Sequence, residues 1–249
     1  MNILITNDNG ITSRGLITLV AAFSGAGHRV LVCAPDRERS AASHSVTLGR
    51  ALKAAAVDYP GAENAWAVDG TPSDCASLGL WLTREDPVDL VAAGVNCGMN
   101  QGGAVVYSGT VGAAMEAAMC GTQALAVSLC VKHGDPADFT AAARLAVRVA
   151  EWMPAHPLPL GCLYNLNVPP LPYEQLRGLT AANLFPTFMG PPVYAVAGEG
   201  YRYHHNEPLS LAVERGDTQL TDQGYATINR LTWDLRHPMD DGDLNEIGL

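Results

Sequence analysis

Up to Val168 the sequence alternates short β-rich apolar runs with segments whose apolar residues recur at helical spacing. Few folds accommodate that pattern. Asn2 to Thr6 is an apolar run that ends in the polar turn Asn7-Asp8-Asn9-Gly10. Gly15 to Phe23 then carries Leu16, Leu19, Val20 and Phe23 on one helical face, and Gly25-Ala26-Gly27 stops it. His28 to Cys33 is a second β-rich run, closed by Ala34-Pro35-Asp36. The opening therefore predicts a parallel βαβ unit. The alternation continues with a helix over Pro72 to Leu82, a strand over Val88 to Ala92 and an Ala-rich helix over Thr110 to Cys120. A buried strand over Gln123 to Cys130, a helix over Pro136 to Trp152 and a strand over Leu163 to Val168 follow. The predicted class is α/β, a doubly wound and mostly parallel sheet with helices on both faces.

Beyond Pro169-Pro170 the character changes to clustered prolines, aromatics and short alternating runs. Residues 1–170 are read as the α/β core. Residues 171–249 are read as a β-containing extension that completes the same domain or serves oligomer contacts. With 249 residues the chain can bury a large core without metal or disulfide support. Its net charge of −10 excludes a basic face that grips long nucleic acid or an anionic membrane. No stretch of 18 apolar residues predicts a membrane span, and the N-terminus lacks the basic start of a signal peptide. The six cysteines form no CxxC pair and mostly lie in apolar runs, the pattern of buried thiols in a reduced cytoplasmic protein.

In a doubly wound sheet, ligands bind beyond the carboxyl ends of the strands. Three loops there carry polar residues that folding alone does not require. In the first, Asp8 and Asn9 offer hard oxygen donors suited to Mg²⁺, Mn²⁺ or Ca²⁺, although an Asx-rich turn capping the next helix reads the same way. In the second, Ser40 can give a hydroxyl oxygen to a metal, and His44 can donate to a phosphoryl group or move a proton. Equally, Ser40 can cap a short helix and His44 can be simply solvated. The third loop presents Asn96 and then Ser108, Gly109 and Thr110 ahead of a helix of small residues. There, free N–H groups and two hydroxyls make an anion cradle or an ordinary N-cap. Neither a Walker A loop nor a GxGxxG follows the first strand.

Taken together, Ile3 to Ile11, Ala34-Pro35-Asp36-Arg37 with Ser40, Gly70 to Cys75, Asp89-Leu90-Val91 with Gly94 to Asn100, and Tyr107 to Glu116 resemble the signatures of the SurE survival-protein family. Asn165 to Pro169, and Asp217 through Gly224-Tyr225, follow the same pattern. The resemblance implies a Rossmann-like core with a C-terminal arm, usually dimeric or tetrameric. It also implies metal-dependent hydrolysis of nucleoside 5′- and 3′-monophosphates. Carried over by position, it implies one divalent cation, Mg²⁺ or Mn²⁺, held by Asp8, Asn9, Ser40 and Asn96. Asn96, Ser108, Gly109 and Thr110 would hold phosphate, and Asp8 and Asn9 would act in catalysis. The family usually has two adjacent acids where this chain has Asp8-Asn9, so the site loses one negative charge. Near the C-terminus Thr227-Ile228-Asn229-Arg230-Leu231 departs from the family pattern, which weakens any role for Asp234 or His237. Two rivals remain: a divalent-metal nucleoside hydrolase, and a weakly active nucleotide-binding protein.

Overall fold

The computed structural model describes residues 1–132, 135–185, 187–188, 193–204, 209–210 and 213–234. In chain order the first half holds β1 (Asn2–Thr6), α1 (Arg14–Gly25), β2 (Arg29–Pro35), β3 (Ala54–Ala56), β4 (Asn64–Val68), α2 (Pro72–Leu82) and β5 (Leu90–Cys97). Then come α3 (Gly109–Met119), β6 (Gln123–Leu129), α4 (Thr140–Trp152) and β7 (Cys162–Val168). The last part contains β8 (Leu179–Ala181), β9 (Thr187–Phe188), β10 (Val193–Ala197), β11 (Gly200–His204), β12 (Leu209–Ser210), α5 (Asp217–Asp222) and β13 (Ala226–Thr232).

Nine strands form the main sheet in the order β3-β4-β2-β1-β5-β6-β7-β13-β8. The six central strands, β4 to β7 in that order, are mutually parallel. From β1 the chain steps outward through β2 to β4, then returns to lay β5 on the other side of β1. The strand order therefore reverses between β1 and β5, and their carboxyl ends open into the crevice where doubly wound sheets bind ligands. β13 runs antiparallel to β7, with β8 beyond it, so the segment after Pro170 adds two strands to the same sheet. β10 with β11, and β9 with β12, form two separate antiparallel pairs.

Strand alternation divides the core in two. Ile3 and Ile5 point to one face, where Leu16, Leu19, Val20 and Phe23 of α1 meet Ala142, Ala146 and Val149 of α4. Leu4 points to the other face, where Cys75 and Ala76 of α2 lie with Val111, Ala114 and Ala117 of α3. Both faces are covered, which is why the central strands read as continuous apolar runs. Each fully buried Leu or Ile side chain contributes about 1.5–3 kcal/mol. The second face is built from small residues for a steric reason. A Cβ at Gly79 would lie 2.7 Å from Leu4 Cδ2, and one at Gly112 would lie 2.5 Å from the Ser43 carbonyl oxygen. Helices this bare lie close to the sheet and bring their N-termini close to the strand ends.

Several expectations from the sequence need adjustment. β5 extends to Cys97 rather than ending at Ala92, so Asn96 belongs to the strand; its register shifts between Ala93 and Asn96. α4 begins at Thr140, not Pro136, where the Asp138 carboxylate accepts from the Thr140 N–H at 3.0 Å. β3 and β4 escape the apolar pattern because β3 is three exposed alanines and β4 alternates weakly. Only Cys33 and Cys75 of the six cysteines are buried. Cys97 is exposed at the crevice and Cys120 is exposed at the C-cap of α3. Among the described residues, no helix is long and apolar enough to cross a membrane.

Candidate functional site

Three segments converge at the carboxyl ends of β1, β2 and β5. The first turn is folded by its own side chains: Asn7 Nδ2 donates to the Gly10 carbonyl at 3.1 Å and to Ser13 Oγ at 2.7 Å. Ser13 in turn caps α1. Gly10 has φ +94°, and a Cβ there would lie 2.9 Å from the Arg37 carbonyl carbon, so the segment after β2 packs directly on this turn. The Arg39 N–H donates to the Asp8 carbonyl at 2.7 Å, which ties the two segments together next to Ser40. The third segment reaches the turn through the Cys97 N–H, which donates to Asn9 Oδ1 at 3.4 Å. Asp8, Asn9, Ser40 and Asn96 thus belong to segments in mutual contact.

Asp8 is the centre of this arrangement. Its side chain is buried, and Thr110 Oγ1 donates to Asp8 Oδ1 at 2.7 Å. Burial pushes the carboxyl above its ordinary value, and the Thr110 hydroxyl and neighbouring N–H groups oppose that push. A Cβ on Gly109 would lie 2.9 Å from Asp8 Cβ and 3.0 Å from Pro72 Cγ, so only glycine lets the start of α3 approach so closely. The Thr110 hydroxyl is therefore committed to Asp8 rather than open to an anion. Ser108 caps α3 by accepting from the Val111 N–H at 3.0 Å, which leaves its own O–H available as a donor. What remains for an anion at the start of α3 is the Ser108 hydroxyl and the Gly109 N–H, strengthened by the helix dipole.

The other expected residues are placed as follows. Asn96 Nδ2 donates to the Gly98 carbonyl at 2.9 Å, so the local turn engages its NH₂ group and not its amide oxygen. Ser40 is exposed, and its hydroxyl donates to Glu38 Oε1 at 2.6 Å. His44 faces α3, with Nε2 at 2.7 Å from Glu116 Oε2, so one ring nitrogen is already partnered. That loop is held tightly: Ala41 and Ser43 have positive φ, and Ser43 Oγ donates to the Val106 carbonyl at 2.7 Å. Asp234 is half-buried beyond the end of β13, and His237 lies outside the described residues.

Two supports were not foreseen. The loop after β5 rests on a buried polar platform in which the Asn100 N–H donates to Asn167 Oδ1 at 2.9 Å. The Asn100 carbonyl accepts from Asn165 Nδ2 and Asn167 Nδ2, each at 2.9 Å. Asp217, at the start of α5, accepts from the Gly102 N–H at 3.0 Å and from the Phe185 N–H at 2.9 Å. The C-terminal segment thereby fixes the loop that leads to Ser108. The second support is Asp74, which forms a capping box with Thr71 on α2 and accepts from Thr47 Oγ1 at 2.6 Å. It anchors the segment after His44, and the Thr71-x-x-Asp74 spacing was the available signal.

The donor chemistry fits one hard divalent cation. Asp8 contributes a carboxylate whose Oδ1 accepts from Thr110, and the other three candidate donors are neutral oxygens. Among the described residues, no group of three or more His, Cys, Asp or Glu is disposed to hold a metal ion.

A model of the family described as Survival protein SurE matches residues 3–189. A protein of Gloeobacter violaceus named 5′-nucleotidase SurE is 44% identical over 244 residues, covering 95% of this chain and 92% of that protein. One of Nostoc sp. with the same name is 45% identical over 181 residues, covering 72% of this chain and 68% of its own length. Among solved structures, the SurE protein of Aquifex aeolicus superposes with a TM-score of 0.79 at 29% identity, over 95% of both chains.

Proposed function

The chain belongs to the SurE survival-protein family, and on that premise we propose that it is a nucleotidase. It releases phosphate from nucleoside 5′-monophosphates, and from 3′-monophosphates as well, with one divalent cation, Mg²⁺ or Mn²⁺, as cofactor. The observation that carries this reading is the buried Asp8 carboxylate at the β1/β5 switch point, hydrogen-bonded to the first turn of α3. In this reading an oxygen suited to a cation lies beside a helix start suited to an anion. Short monophosphates suit the site better than long nucleic acid, because a net charge of −10 offers no extended basic face.

Asp8, Asn9, Ser40 and Asn96 would hold the cation. When bound it would supply Lewis-acid polarisation of a phosphoryl oxygen and a more acidic attacking water. The remaining work falls to this chain's own groups. The Ser108 O–H and Gly109 N–H bind the phosphate oxygens and hold the phosphorus so that the attacking water stands opposite the leaving oxygen. Thr110 holds Asp8 in one rotamer through the 2.7 Å hydrogen bond. Asp8 then orients the water and accepts its proton as the P–O bond forms. The leaving oxygen takes a proton from solvent, and nucleoside and inorganic phosphate depart. Helix-terminal N–H groups, and the cation when bound, would supply the attraction for phosphate in place of Lys and Arg.

The test is product analysis with Mn²⁺ across nucleoside 5′- and 3′-monophosphates. Inorganic phosphate and intact nucleoside are the expected products. Free base in place of phosphate would identify a nucleoside hydrolase. Calorimetric binding without any product would leave a nucleotide-binding protein.

A further inference from the structure

The four proposed oxygen donors, on Asp8, Asn9, Ser40 and Asn96, carry a single negative charge among them, yet a second carboxylate stands beside Ser40. Glu38 lies between two backbone contacts with the β1 turn: Arg37 packs on Gly10, and the Arg39 N–H donates to the Asp8 carbonyl. Its Oε1 accepts the Ser40 hydroxyl at 2.6 Å. The arginines on either side do not neutralise it, since Arg37 and Arg39 both pair with Asp36, at 3.1 Å and 3.4 Å. Among the described residues Glu38 forms no ion pair.

We propose that Glu38 is the positioning residue for Ser40 and, through the Ser40 hydroxyl, brings a second negative charge to the cation site. The inference rests on the nucleotidase reading above. By taking the hydroxyl hydrogen, Glu38 turns both lone pairs of Ser40 Oγ away from itself and makes that oxygen a better donor to a cation. Partners of this kind, one shell outside the metal ligands, hold a neutral ligand in place and raise its basicity.

The test is calorimetric titration of Mn²⁺, without substrate, into the unmodified chain, Glu38→Gln, Asn9→Asp, their double variant, and Ser40→Ala with and without Glu38→Gln. Glu38→Gln should weaken Mn²⁺ binding about tenfold, the lower end for such partners. Because Glu38 is exposed, thermal stability should not change. Asn9→Asp places a carboxylate directly among the donors, so it should restore affinity in the Glu38→Gln background. In a Ser40→Ala background, Glu38→Gln should weaken binding by no more than about twofold, because its route through Ser40 is already gone. Unchanged affinity in Glu38→Gln would overturn the proposal and leave the nucleotidase reading standing. A loss that Asn9→Asp does not restore would also overturn it, as would a full tenfold loss on the Ser40→Ala background. Absence of Mn²⁺ binding by the unmodified chain would overturn both.

Discussion

Asp8→Asn lowers phosphate release from a nucleoside 5′-monophosphate by about 10³-fold, the upper range for removal of one preorganised electrostatic group. The substitution is nearly isosteric, and the amide oxygen can still accept from Thr110 Oγ1 in place of the carboxylate at 2.7 Å. The anchoring of α3 should therefore survive. Only the charge is lost, and with it the strongest donor of the proposed cation site. Because Asp8 is desolvated by burial, exchanging it for a neutral group should leave the melting temperature unchanged or slightly raised. Steady-state kinetics with thermal denaturation of the same samples check both halves. A fall in activity accompanied by unfolding would make Asp8 a structural residue instead.

Gly94→Ala is the second large effect, and it acts through the fold. Gly94 lies in β5 with φ +142°, and a Cβ there would come 2.3 Å from the Val127 carbonyl oxygen of β6. The backbone strain and the forced separation of two central strands each cost about 1–3 kcal/mol, so a loss of about 2–6 kcal/mol is expected. For a domain of this size that lowers the melting temperature by about 10 °C. Asn96 lies two residues further along, beyond the register shift, so activity should fall even below the melting range. Gly98→Ala is the informative contrast. Its φ is +140°, but the nearest atom to an added Cβ is Asn96 Nδ2 at 3.7 Å, so only the backbone strain remains. Urea denaturation of the two variants separates steric conflict from backbone strain.

The parallel core was legible because both of its faces are buried. Ile3, Leu4 and Ile5 are apolar without alternation, and the Leu16, Leu19, Val20 and Phe23 face of α1 keeps a helical period. β3 was not legible, since three exposed alanines leave no trace of the face they occupy. The loops that form the site could be located because each follows a strand. Their internal bonding could not. Nothing in the order of residues reveals that the Thr110 hydroxyl turns to Asp8, because that contact joins segments 102 positions apart. The same holds for Asp217, whose bond to the Gly102 N–H spans 115 positions. Glu38 was hidden for a different reason: an acid in a run of charged residues usually means a solvated surface, and only the Ser40 contact distinguishes it.

Phosphate release from adenosine 5′-monophosphate, measured after EDTA treatment and again after Mn²⁺ is added back, tests the central claim most directly. A cation held by Asp8 and three neutral oxygens predicts no turnover in EDTA and full recovery with Mn²⁺. Undiminished phosphate release in EDTA, or none at any Mn²⁺ concentration, would contradict it.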